Sequence, residues 1–206
     1  MNRPLSICST FHETYTAIES LSDRWEISRD QFSLHFTMHN ELALIRPVSL
    51  FLCRKAARLG LCHGEREKWA AIAIQEALLN ALYHGNLELS TDDLRRARYQ
   101  LLVGDRVDCI LERQRTLPFM QRLIHISAVL SRSEAHFVVR DEGPGFDYVV
   151  CTPLVIDDGE VSRPTGRGLQ RMFSFMDDVR FNEAGNQVTL CMRHTTHARI
   201  NLRRVA

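Results

Sequence analysis

Lysine is scarce in this chain. Only Lys55 and Lys68 occur, so nearly all of the 26 basic residues are arginine. Neither lysine stands in a Gly-x-x-x-x-Gly-Lys-Ser/Thr run, which excludes the P-loop class, whose phosphate cradle needs that side chain. Excess charge of one sign is missing as well: 26 basic against 25 acidic residues leave a formal net charge of +1. No global field draws the chain to nucleic acid or to a membrane, and neither is expected as a direct partner. No apolar run approaches the ~20 residues of a membrane-spanning helix, and the first residues hold no apolar core of a secretory leader. The six cysteines, Cys8, Cys53, Cys62, Cys109, Cys151 and Cys191, show no CxxC spacing. No zinc motif is legible in them. Scattered free thiols suit a reducing cytoplasm, the location expected for the chain.

What is there is an ordinary globular composition, 45% hydrophobic and 25% charged over 206 residues, enough for one domain with a sizeable core. Phe32, Leu34, Phe36 and Met38 alternate with polar residues, which predicts a half-buried strand. Helical apolar spacing runs from about Leu44 to Leu59, with Pro47 in the first turn and Gly60 as a stop signal. A second helix is predicted from about Gly64 to Tyr83, with Gly85 as its terminator. Residues 88–120 are charged and arginine-rich, with helical spacing around Leu94 to Val103, and read as an insertion on the domain. Two strands follow, 122–130 and 135–140, joined across Ser131-Arg132-Ser133. A loop rich in Gly, Pro and Asp extends to about Thr165, then a short helix from near Gly168 to near Met176. A last hairpin pairs 179–182 with 187–193. The main domain is placed at 28–194, between an N-terminal arm, 1–27, and a polar, basic tail, 195–206. Helices grouped against antiparallel hairpins predict a two-layer α+β sandwich.

Three motifs carry chemistry. The first lies on the second helix, Glu76-Ala-Leu-Leu-Asn80-Ala-Leu-Tyr-His84-Gly85-Asn86. Glu76 and Asn80 are one turn apart and share a face. A carboxamide oxygen can ligate a hard cation such as Mg²⁺, and a carboxylate one turn away can orient or deprotonate a hydroxyl. The same spacing also describes a solvated stripe on an amphipathic helix. The second motif, Asp141-Glu-Gly143-Pro-Gly145-Phe-Asp, follows an apolar strand. A strand-end carboxylate can accept from an exocyclic amine while glycines let the backbone approach a flat ring; a tight turn with an exposed Asp is the plainer alternative. The third, Thr165-Gly166-Arg167-Gly168-Leu169, precedes a helix, where free N–H groups and a guanidinium can hold an anion. A Gly-x-Gly alone is compatible with an ordinary loop. Together and in this order, the three offer a metal ligand, a base contact and a phosphate cradle.

With all three boxes in order, the chain resembles the histidine-kinase-like (GHKL) ATPase superfamily over about residues 28–194. Within it the boxes are most similar to those of bacterial anti-sigma-factor serine/threonine kinases. The resemblance implies a Bergerat-type ATP-binding fold, a two-layer sandwich with a mixed, mostly antiparallel sheet. It implies ATP and Mg²⁺ as ligands, with Asn80 on the metal and Glu76 as the catalytic base or water-orienting residue. Asp141 would meet the adenine amino group, and Gly143 and Gly145 would shape that pocket. Gly166, Arg167 and Gly168, flanked by Thr165 and Leu169, would form a mobile lid over the phosphates. His84 and Gly85 match the family's helix end. The implied partners are a sigma factor, a STAS-type anti-sigma antagonist, or both, and copies of the chain would pair. Two functions are compatible with these residues: transfer of a phosphoryl group to a Ser or Thr of the antagonist, or nucleotide-gated partner capture without catalysis. An output domain beside a separate regulator, docking through the arginine-rich insertion, is a third.

Overall fold

A computed structural model describes residues 26–28, 31–103, 108–146 and 166–194. Strands β1 (Glu26–Ser28), β2 (Gln31–Met38), β3 (Ile124–Ser131), β4 (Glu134–Arg140), β5 (Asp178–Phe181) and β6 (Gln187–Arg193) form one sheet. Their order is β1-β2-β3-β4-β6-β5, with every neighbouring pair antiparallel. The described helices are α1 (Leu42–Arg58), α2 (Glu65–Asn80), α3 (Thr91–Leu102), α4 (Asp108–Arg115) and α5 (Gly166–Phe175). The two layers make the expected α+β sandwich. None of these helices is long and apolar enough to cross a membrane.

Strand alternation decides which face is covered. Leu34, Phe36 and Met38 on β2 pair with Ala128, Ile126 and Ile124 on β3. Ala128 and Ile126 pair with Phe137 and Val139 on β4, which pair in turn with Leu190 and Val188 on β6. All of these are buried, and with Phe51 and Leu52 of α1 and Ile74 and Leu78 of α2 they form one core. The residues between them, such as His35, Ser127, Val138 and Thr189, face the other way and stay partly exposed.

Local chemistry ends each helix. After α1, Gly60 takes φ +80°. The Gly60 N–H donates to the Ala57 carbonyl (2.9 Å) and the Leu61 N–H to the Ala56 carbonyl (3.2 Å), a Schellman pattern sealed by buried Leu61. The helix starts two residues before the Leu44 expected from sequence, so Pro47 lies beyond the first turn, its ring buried in the core. The end of α2 is different. Its α-turns widen into a π-helical segment, Ala81–Asn86, with Leu87 N–H donating to Leu82 O at 3.0 Å. One extra residue per turn re-aims the chain without breaking its hydrogen bonding. Residues 88–120 hold α3 and α4, and a 3₁₀ turn, Phe119–Gln121, runs across the end of the segment. The second helix of this segment was not expected, because its Arg-rich sequence shows little apolar periodicity. Glu26 and Ile27, assigned to the arm from sequence, form β1 with Ser28 at the sheet edge.

The widened turn delivers Asn86, fully buried, to a polar junction. Its amide donates to Asn40 Oδ1 (2.7 Å) and its Oδ1 accepts the Glu142 N–H (2.8 Å). Asn40 donates onward to the carbonyls of Phe119 (3.0 Å) and Arg122 (3.1 Å). Helix end, strand end and insertion are thereby pinned together. Asn86→Ala strands the buried Asn40 amide oxygen and the Glu142 N–H and should cost about 1–3 kcal/mol in urea unfolding. A loss below about 0.5 kcal/mol would show that the junction does not hold the fold.

Candidate functional site

The carboxyl ends of α2 and β4 and the β5–β6 turn enclose a cavity of about 230 Å³. Ala77, Ala81, Val139 and Leu169 give it apolar walls, and Asp141 is the one carboxylate among the described residues of its lining. Asp141 follows the last residue of β4, where sheet pairing stops and the side chain is free to serve the pocket. Its N–H donates to Asn186 O (3.0 Å) and its Oδ1 accepts the Gly143 N–H (2.9 Å). The residue is only 9% exposed. Burial pushes its carboxyl up to about 6, against the pull of the Gly143 and Asp141 N–H groups and the Arg122 charge. The folded value lies above the ordinary one, so ionised Asp141 costs stability as pH rises from the usual carboxylate range to about 6.

Two glycines make room for it. A β-carbon at Gly85 would lie 2.5 and 2.6 Å from the Asp141 carboxylate oxygens. One at Gly143 would lie 2.9 Å from Gly85 Cα. The helix end and the strand end are therefore in direct backbone contact, and the π-helical turn sets that approach. A second contact closes the far end. Gly145 (φ +78°) packs against Ala184 and Asn186, and Gly185 (φ +73°) against Phe146. Phe146 meets Phe181 edge-on at 5.5 Å.

On the helix side, α5 lies across α2. A β-carbon at Gly168 would come within 2.9 Å of Glu76 Oε2 and 3.7 Å of Asn80 Oδ1. The first turn of α5 thus rests on the Glu76/Asn80 pair, with Gly166 and Arg167 in that turn and Arg167 exposed. Glu76 Oε1 accepts a charge-assisted bond from the Arg171 guanidinium. The donor set of amide and carboxylate oxygens beside a helix N-terminus fits a hard cation with an anionic ligand. Asp141, in its apolar pocket, fits the amino edge of a flat heterocycle.

The expected site residues therefore converge. Glu76, Asn80 and Gly168 meet at one end; Gly85, Asp141, Gly143 and Gly145 meet at the other; Leu169 is buried in the wall between. His84 lines the cavity mouth and donates from Nδ1 to the Leu89 carbonyl (2.9 Å), which assigns that nitrogen the proton. Thr165, and the loop expected before it, lie outside the described residues. Sequence reasoning missed the roles of Arg171, Asn86 and Gly185. Gly185 was legible only as a turn residue, and Arg171 reaches Glu76 only through a tertiary contact between α5 and α2.

Two outcomes test this geometry. Asp141→Asn keeps the acceptor for Gly143 and removes a buried charge. It should raise stability at pH 7 by about 1 kcal/mol and abolish the fall in stability between the ordinary carboxylate range and pH about 6. An equal or lower melting temperature would contradict the assignment. In an exposed helix interior, Gly→Ala stabilises by roughly 0.5–1 kcal/mol. Gly85→Ala should instead destabilise by about 1–3 kcal/mol, read by chemical denaturation, because the methyl group overlaps Asp141.

The family model of the histidine kinase-like ATPase domain matches residues 38–192, more than half of the chain. Among curated proteins no relative matches. The matched span begins at the last residue of β2 and ends within β6, so it takes in the helices and strands that build the cavity. The chain belongs to the histidine kinase-like ATPase domain family and is a GHKL-type ATP-binding module.

Proposed function

We propose that this module is an ATP-dependent protein serine/threonine kinase of the anti-sigma-factor type, acting on a STAS-type antagonist and binding a sigma factor. The observation that carries this reading is the convergence of Glu76 and Asn80 on Gly168 at the start of α5. Asp141 would accept from the adenine amino group, and Asn80 Oδ1 would hold Mg²⁺. The first turn of α5, with Arg167, would face the phosphates. Bound Mg-ATP supplies the phosphoryl group and the charge neutralisation that dominate such transfers. The protein's own task is to position the acceptor hydroxyl and take its proton. Glu76 would take that role through Oε2, which lies against Gly168 while Oε1 pairs with Arg171.

The Arg171–Glu76 pair also favours a second reading. A carboxylate tied to a guanidinium is held in place but is partly occupied as a base. The same site could order α5 on binding ATP and capture a partner without transfer. The two readings separate cleanly. With labelled Mg-ATP and a STAS-type antagonist, wild-type protein should yield a phosphoprotein. Glu76→Gln should lower the rate by about 10²-fold or more and leave Mg-ATP affinity within about threefold. Partner capture that needs ATP but gives no phosphoprotein would replace the kinase reading with the binding module. Neither transfer nor ATP-dependent capture would overturn both.

A further inference from the structure

The face of the sheet turned away from α1 and α2 carries a second cluster of chemistry. Glu134 and His136 are two residues apart on β4 and so point to the same side. Cys191 on β6 is the register partner of His136, which sets thiol and imidazole side by side. Glu134 Oε1 lies 3.1 Å from His136 Nε2. One ligand atom from each of Glu134, His136 and Cys191 lies within 4.8 Å of the other two. Cys191 is 3% exposed, whereas the Glu134 and His136 side chains are 44% and 38% exposed. The sulfur thus forms the floor of a shallow site whose mouth opens to solvent.

Acidic side chains gather at the cluster, Glu134 on β4 and Asp178 on β5, the latter paired with Arg180 at 2.7 Å. Asp178 is the register partner of Cys191 on β5. Arg193 lies 3.9 Å from Glu134 and 4.0 Å from Asp178, beyond hydrogen-bond length, so its long arm rims the cluster without filling it. The strands that hold the three ligands are paired over their whole length, so the donors are preorganised by sheet register.

We propose that Glu134, His136 and Cys191 form a zinc-binding site on the outer face of the sheet, tying β4 to β6. A thiolate, an imidazole and a carboxylate are the donor types of tetrahedral zinc. With bonds of about 2.0–2.3 Å, tetrahedral ligand atoms sit roughly 3.5 Å apart. The present cluster, with its ligand atoms within 4.8 Å of one another, closes to that spacing by side-chain rotation. Water completes the fourth position. Cys191 Sγ loses its proton to solvent as its bond to the metal forms. The site is separate from the nucleotide cavity, which lies on the helix side of the same strands. Zinc binding would stabilise the β4–β6 pair, whose opposite end carries Asp141 and Asn186.

The test is a titration of the full chain, stripped with chelator, with Co²⁺ and then with Zn²⁺ in competition. The expected result is a thiolate-to-cobalt charge-transfer band that saturates at one equivalent and is displaced by Zn²⁺. Cys191→Ser and His136→Gln should each abolish the band, and Glu134→Gln should weaken Co²⁺ affinity roughly tenfold or more. His136 is partly exposed, so its variant keeps the test meaningful if Cys191→Ser unfolds. Zn²⁺ should also raise the melting temperature of wild type and not of His136→Gln. No band, or a band that survives His136→Gln and Cys191→Ser unchanged, overturns the proposal. Mg-ATP binding is not part of the readout, so the two sites fail or stand independently.

Discussion

Asp141 is buried against Gly85, with no β-carbon between them, and Gly143 lies on the Gly85 backbone from the other side. This approach of strand end to helix end organises everything around it. It requires two glycines, one from each motif. It requires the π-helical turn, because a regular α-helix running on from Asn80 would carry Gly85 to a different azimuth. It requires Asn86, which holds the Glu142 N–H and so fixes where Asp141 stands. The carboxylate itself opposes folding at neutral pH, and the surrounding core must offset it.

The remaining parts follow from the two-layer arrangement. The sheet presents Val139, Asp141 and Val188 from its end, and α2 presents Ala77, Asn80 and Ala81 from above. The gap between the layers is the cavity. Packing α5 across α2 brings a helix N-terminus onto Glu76 and Asn80, so charge-binding groups collect at one end and the apolar slot occupies the other. That polarity matches a nucleotide, a flat ring joined to an anionic tail. Arg171 adds a restraint: it holds Glu76 by one oxygen and leaves the second directed at Gly168.

Much of this was legible in the sequence because the signals were local. Alternation in Phe32–Met38 gave the strand directly, and helical spacing from about Leu44 to Leu59, with Gly60 as its stop signal, gave α1. The three boxes converged because each motif lies at an element end, where a short run dictates its own geometry. What stayed hidden depended on tertiary contact. Arg171 is one arginine in an arginine-rich chain, and nothing local ties it to Glu76. α4 has too few apolar residues for its period to show. The widening after Asn80 leaves no trace in composition. Glu134, His136 and Cys191 lie far apart in sequence, and only the pairing of His136 with Cys191 joins them. The cysteine pattern, empty of CxxC motifs, could not reveal a cluster assembled by strand register.

The central claim is that the cavity binds the adenine end of ATP through the Asp141 carboxylate. Calorimetric titration of Mg-ATP into the folded protein, with Asp141→Ala alongside, tests it most directly. The account predicts saturable one-to-one binding to wild type and a loss of at least about 2 kcal/mol, some thirtyfold in affinity, in the variant. Equal affinity in the two proteins, or no binding by a folded wild type, would contradict it.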